Sequence, residues 1–334
     1  DILARPFTDF FDGGAGLYFN DLTAKTNYNI SDKDRLYLSG YFGRDVFNFD
    51  ENQGINWGSQ TMTLRWNHLY NQRLFSNLTF FVSDYDYQLS FGDNLDGFEW
   101  TSNITTVNFK PELTYFIDTR NELTFGGEVL KYQFEPANAQ GTSLGEVTKF
   151  DLPFRRALEY AFHIGNEQKV NEKLNLVYGL RFSGFSFMGD GEYYTFNDTL
   201  PGYRRFVTSV RSADKWESIK NYNNWEPRFS AKYQLTPTSS VKASYNRTAQ
   251  YIHLVSNTTA SNPLDIWTPS TNNIKPQLGD QVALGFFKNL KKNMYETSAE
   301  IYYRKTQNQI DYIDGAELFI NKEIEGDLLA GKGR

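Results

Sequence analysis

The sequence predicts an all-β fold: an antiparallel, up-and-down β-barrel that crosses a membrane. Three observations predict it. Apolar and polar residues alternate with a period of two in about twelve segments, so each segment presents one apolar and one polar face. Each segment runs about ten residues or more, enough for a tilted strand to cross a bilayer and longer than the usual five or six. The connections alternate between turns of a few residues and longer polar loops, as in barrels with short periplasmic turns and long external loops.

The clearest segment is 224–252. Pro227, Phe229, Ala231, Tyr233 and Leu235 alternate with Glu226, Arg228, Ser230, Lys232 and Gln234. Thr236 to Ser240 break the chain with turn-forming residues, and Val241, Ala243 and Tyr245 resume the pattern.

In order, strands are expected at 16–29, 35–48, 57–70, 74–91, 99–116, 122–134, 154–169 and 174–188, then the hairpin above, then 278–289 and 294–313. The apolar faces read Leu22, Ala24, Thr26 and Tyr28; Met62, Leu64, Trp66, His68 and Tyr70; Leu158, Tyr160, Phe162 and Ile164; Leu176, Tyr178, Leu180 and Phe182. Short turns fall at 31–34, 71–73, 118–121, 171–173, 236–240 and 291–293. Loops are expected at 1–15, 49–56, 92–97, 135–151, 189–223 and 253–275, and the chain ends at GDLLAGKGR without an evident final strand. It reads as an internal piece of something longer. Leu176, Tyr178, Leu180, Phe229, Ala231, Tyr233, Val241, Ala243, Thr297, Ala299 and Ile301 are expected to face lipid. Arg181, Arg228, Lys232, Lys242, Glu296 and Glu300 should face inwards.

Composition agrees. Of 334 residues 17% are aromatic, with 28 Phe and 22 Tyr but 3 Met, which suits strands and interfacial belts. No apolar run reaches the ~18 residues of a transmembrane helix. The mean hydropathy of −0.58 is compatible with a barrel, whose lumen and loops are polar. A net charge of −6 with dispersed Lys and Arg argues against a nucleic-acid surface, so no nucleic-acid partner is expected. Absence of Cys excludes disulfides and thiolate metal sites.

Signals for catalysis are weak, and neither catalytic residues, metal ligands nor cofactors are assigned. His68, His163 and His253 are isolated and lack ligand spacing. The Asp93–Gly97 stretch lacks the ligand spacing of a calcium loop. The Gly326–Lys332 stretch imitates a phosphate-binding loop but places Gly333 where Ser or Thr is required. Asn-x-Ser/Thr triplets lie largely within strands, which disfavours glycosylation.

What remains is a binding surface. The loops 189–223 and 253–275 concentrate aromatic, Asn and Arg side chains, and Tyr203, Arg205, Trp216 and Trp267 are the candidate substrate-binding residues, expected near a common pocket. The alternative is that these loops pack on one another.

Over 225–314 the chain carries EPR (226–228), KASY (242–245), PLDIWTP (263–269), IKPQ followed by DQ (274–281), YYRK (302–305) and IDY (310–312), in that order. This succession resembles the barrel of TonB-dependent outer-membrane receptors. The resemblance implies a 22-stranded barrel occluded by an N-terminal plug, in the outer membrane of a Gram-negative cell. It implies import of an iron chelate, cobalamin, a glycan or a peptide, driven by the TonB–ExbB–ExbD complex through the plug, with a surface lipoprotein as a further partner. Residues 1–334 would then be part of the barrel domain, with the plug outside them. Such a protein is a transporter and not an enzyme. A passive porin or structural barrel is the alternative, and a soluble β-rich binding protein a more distant one.

Overall fold

The computed structural model describes residues 16–50, 52–93, 96–198, 202–255, 266–316 and 321–334. They form one open antiparallel sheet and two small hairpins, with no α-helix among the described residues. The strands are β1 (Gly16–Asn29), β2 (Asp34–Asp50), β3 (Gln53–Leu69), β4 (Leu74–Gly92), β5 (Gly97–Asp118), β6 (Asn121–Ser143), β7 (Glu146–Asp151), β8 (Arg155–Lys169), β9 (Leu174–Met188), β10 (Gly191–Phe196), β11 (Val207–Ala213), β12 (Ser218–Thr236), β13 (Ser239–Gln250), β14 (Ile252–Val255), β15 (Ile266–Pro269), β16 (Gln277–Leu290), β17 (Tyr295–Tyr312) and β18 (Leu328–Gly333). The large sheet runs β1-β2-β3-β4-β5-β6-β8-β9-β12-β13-β16-β17-β18, with β7 paired to β6. Every pairing is antiparallel, and the wall strands pair in chain order with β7 and the β10–β11 and β14–β15 hairpins set aside, the up-and-down order expected of a barrel wall.

The register fixes the faces. Leu176, Ala231, Ala243, Leu284 and Ile301 are successive cross-strand partners, as are Tyr178, Phe229, Tyr245, Val282 and Tyr303. Lys232, Lys242, Gly285 and Glu300 align on the other face. The polar face is concave. Tyr251, just past β13, reaches across β12 to Ser183 on β9, and the β14–β15 hairpin touches both β6 and β17, six places apart in the sheet. The convex face exposes Met62, Phe80, Phe109, Phe162, Ile164, Val282 and Ile301, side chains that would be buried in a soluble protein. Lipid satisfies them. Trp66, His68 and Tyr70 meet in tilted and edge-to-face contacts near the short-turn rim, and Tyr160, Phe182 and Trp225 form a second aromatic group further up. These are the two interfacial belts of a membrane barrel.

Above the upper belt the polarity inverts. On β2 to β5 the outer face becomes polar: Arg44 forms a two-pronged pair with Asp86 (2.6 and 2.8 Å), and Asn56, Gln88 and Glu99 continue the ladder. The inner face becomes apolar, with Ile55, Leu89, Trp100 and Ala139 in one cross-strand row, joined by Tyr87 and Leu152. This is the arrangement of a sheet in water, where the interior is the dry side. The wall therefore rises well beyond the bilayer, since β5 and β6 span 22 and 23 residues where ~10 suffice to cross it.

Several expected loops are strands. β2 and β3 run on until Asp50 pairs with Gln53, and β6 to Ser143, after which β7 turns back, whereas the loop expected at 92–97 is found there, closed by the Gly92–Gly97 pair. External connections at 51–52 and 93–96 are thus as short as the opposite turns. Within 189–223 lies the β10–β11 hairpin, and within 253–275 the β14–β15 hairpin, although residues 256–265 and the loop-like 1–15 lie outside the described residues. The end of the chain is also strand: β18 pairs with β17 through backbone groups, which a Gly-rich sequence without alternation does not announce. That pairing removes the phosphate-loop geometry from 326–332.

Candidate functional site: the lumen and its mouth

Midway up the concave wall, one guanidinium faces three carboxylates. Arg181 on β9 bonds Glu226 on β12 at 2.8 Å and approaches Glu159 on β8 at 3.4 Å and Glu128 on β6 at 3.7 Å. Alternation places all four on the same face of adjacent strands. Glu226 is almost wholly buried and also accepts from the Ser183 hydroxyl (2.6 Å) and the Ala249 N–H (3.3 Å). Tyr251 joins Ser183 to Asn224, and its ring stacks on Phe185. Three carboxyl groups thus gather round one guanidinium on the lumen wall.

The mouth is held by the short 3-10 turn Ile324–Asp327 that precedes β18. Glu325 there is buried and bonds Arg155 at the start of β8 (2.8 Å), Thr271 (3.1 Å) and Asn273 (2.5 Å). Arg155 also donates to Thr268 of β15 at 2.8 Å. Asp327, fully buried, faces Arg204 at 3.4 Å and accepts from Asn321 at 2.9 Å. The Arg205 N–H donates to the Gly326 carbonyl at 3.0 Å, and a Cβ at residue 326 would sit 2.7 Å from the Arg205 carbonyl, so this approach needs glycine. Asn272 and Asn273 both donate to the Tyr194 carbonyl. Three connections, after β9, β13 and β17, are thereby tied to one buried turn inside the wall.

His253 on β14 lies in the same region, buried, with Nε2 3.0 Å from the Ser270 hydroxyl and Nδ1 without a partner. Burial pulls its pKa down to about 4, so it is neutral near pH 7. A narrow crevice lined by Phe154, Arg155, Asp190, Tyr194, Asn272 and Glu325 holds about 20 Å³, room for one water and no ligand.

The four candidate residues separate. Arg205 belongs to the mouth cluster, donating to the Glu325 carbonyl at 2.5 Å and lying over the Phe196 ring. Trp267 is on β15, paired with Leu254 and adjacent to the Thr268 that Arg155 holds. Tyr203 is strongly exposed in the stretch before β11. Trp216 stands apart, on the outer side. Arg156 and Lys131 share the outward face with Leu158, and their cations lie 5.6 and 4.6 Å from the Trp216 ring centre. Arg155 and Arg156 thus point to opposite sides of the wall. None of the four lines the narrow crevice described above. Sequence reading missed Arg155, Glu325, Asp327 and Asn273; their partners lie up to 170 residues away, and no local pattern marks them.

The model of the TonB dependent receptor-like β-barrel family matches residues 3–321. No curated protein matches the chain. Among solved structures, similarity is found to Fiu, the ferric-catecholate import receptor of Escherichia coli K12, in its closed form (TM-score 0.63, 13% identity, 90% of this chain and 53% of that one). The ferric yersiniabactin uptake receptor FyuA of Yersinia pestis gives a TM-score of 0.63 at 12% identity, over 89% of this chain and 46% of that one. The copper transporter OprC gives 0.63 at 10% identity, over 89% and 46%. The chain spans about half the length of these structures, and at such identities they bear on fold alone. The family consists of transporters of the Gram-negative outer membrane, not enzymes. The chain belongs to the TonB dependent receptor-like β-barrel family.

Proposed function

We propose that residues 1–334 are part of the barrel domain of an outer-membrane receptor that captures its substrate at the external mouth and imports it with energy from the TonB–ExbB–ExbD complex. A plug domain outside this chain would receive that energy. The observation that carries the reading is the convergence of three external connections on Glu325 and Asp327 inside a wall that rises above the bilayer. A purely structural barrel has no need to hold its loops in the lumen. Arg205 and Trp267 are the candidate anchors on this inner side, and Tyr203 stands nearby in sequence. Trp216, on the outer side, would act only through the position of its loop. Metal chelates are the substrate class to test first, since the similar solved structures are described as receptors for ferric-catecholate and ferric yersiniabactin and as a copper transporter, although that likeness is one of fold. Cobalamin, a glycan or a peptide would be the alternatives, and a surface lipoprotein a further partner.

The test is uptake of candidate metal chelates by the full-length protein, with 189–217 and 251–276 deleted in turn and surface expression monitored. Loss of binding with expression retained supports the reading. Uptake unchanged by both deletions removes these loops as the capture element. Passage of small solutes down their gradient, independent of TonB, would favour the passive porin.

A further inference from the structure

The six turns at the periplasmic rim differ in charge. Asp32 neighbours Lys33, Asp118 neighbours Arg120, Glu172 neighbours Lys173, Arg73 stands alone, and Thr236–Ser239 carries no charge. The turn between β16 and β17 breaks this pattern: Lys288, Lys291 and Lys292 fall within five residues, without an acid from Phe286 to Tyr295. Glu296, the nearest acid, pairs across the strands with Asn289 and shares the inward face with Glu300.

The turn's apolar residues lie on the other side. Phe286, Lys288 and Leu290 alternate on the outward face of β16, and Tyr295 pairs with Leu290 on β17. All are exposed, as are Lys291, Lys292 and Met294, the last at 73%. The Lys291 ammonium lies 5.4 Å from the centre of the Tyr295 ring. Backbone geometry is unusual too. Lys291, Lys292 and Asn293 take φ of 47°, 58° and 67°, three consecutive non-glycine residues in the left-handed region, which L side chains avoid. Such a conformation persists where something favours it.

Phe, Leu, Tyr and Met side chains interleave with three lysines that have no ion-pair partner among the described residues, on the lipid-facing side of a membrane wall, and this matches one kind of surface. Acyl chains meet the apolar side chains and phosphodiesters meet the ammonium groups. We propose that the β16–β17 turn is a docking site for anionic phospholipid headgroups of the periplasmic leaflet, with Lys288, Lys291 and Lys292 contacting phosphate and Leu290, Met294 and Tyr295 the glycerol and upper acyl region. The site rests on the membrane orientation that the transport reading also assumes, but not on the substrate, so loss of uptake with the lipid preference retained would fail that reading alone.

The test is equilibrium binding of a fluorescent phosphatidylglycerol to the full-length protein in phosphatidylcholine nanodiscs. Lysine-to-glutamine changes at 288, 291 and 292 should lower the preference for phosphatidylglycerol over phosphatidylcholine about fivefold per lysine. The triple arginine variant should restore it, while Arg120→Gln with Lys173→Gln should leave it unchanged. Equal preference in parent and triple glutamine variant, or an equal loss in the control pair, overturns the proposal. Retained preference together with lost co-sedimentation with peptidoglycan would overturn it in favour of a cell-wall contact. If the triple variant fails to fold, the single variants Lys291→Gln and Lys292→Gln, in an exposed turn, are read by the same criteria.

Discussion

Arg181→Ala should destabilise the barrel by about 3 kcal/mol. The guanidinium sits 2.8 Å from Glu226, whose side chain is 2% exposed, and truncating one partner of a buried pair costs ~3–5 kcal/mol because the other charge stays behind. Glu226 keeps its bonds from Ser183 (2.6 Å) and the Ala249 N–H (3.3 Å), which offset about 1 kcal/mol each. Glu159 and Glu128, at 3.4 and 3.7 Å and partly exposed, add roughly 0.5 kcal/mol apiece through lost attraction. If the loss arises from the stranded charge, the double variant Arg181→Met with Glu226→Gln should recover most of it, ending within about 1 kcal/mol of the parent. Urea unfolding of the full-length protein in phospholipid vesicles, followed by tryptophan fluorescence, measures both. A single variant within ~0.5 kcal/mol of the parent, or a double variant no better than the single, would refute the reasoning.

Three further perturbations probe other parts of the wall and mouth. Ala231→Arg places a charge on the lipid-facing row and should cost ~2–4 kcal/mol near the midplane in the same unfolding assay, whereas a negligible cost would contradict the face assignment. Glu325→Ala strands Arg155 and releases Thr271 and Asn273, so hydrogen exchange should rise together in 189–217 and 266–276; exchange confined to one connection would deny that Glu325 ties them. His253 has a folded pKa of about 4 against an ordinary 6.5, so the folded form binds fewer protons than the unfolded one. Its contribution to hairpin stability is fully present above pH ~6.5 and is lost as pH falls towards 4, by up to about 3 kcal/mol. Proteolysis of the β14–β15 hairpin should accelerate over that interval, and His253→Gln should flatten the profile.

The membrane part of the wall was legible because lipid and lumen impose opposite solvation on successive side chains. Met62, Leu64 and Trp66 alternate against polar neighbours, and the expected strands matched the observed ones there within a few residues. Above the bilayer the rule reverses. On β3 the apolar outward residues are even-numbered up to Met62, yet Ile55 and Trp57, odd-numbered and inward, are the apolar ones beyond it. Across the reversal the period-two signal cancels, and for that reason 49–56 and 135–151 read as loops. The mouth was less legible still. Arg205 and Trp267 stood out by residue type, but Glu325 and Arg155 find each other across 170 residues, a contact without a local signature. Trp216 misled for the opposite reason: an aromatic residue in a long connection serves the outer wall as readily as the mouth.

The central claim is that this wall crosses the outer membrane with its short turns in the periplasm and its raised strands outside. Residues 1–334 contain no Cys, so once any Cys elsewhere in the full-length protein is replaced by Ser, single introduced cysteines report without background. Leu144, 88% exposed at the tip between β6 and β7, and Lys173, in the turn between β8 and β9, mark the two rims. In intact cells carrying the full-length protein, a membrane-impermeant maleimide should modify Leu144→Cys and spare Lys173→Cys until the outer membrane is permeabilised. Labelling of Lys173→Cys in intact cells, with Leu144→Cys protected, would contradict the orientation on which the transport reading rests.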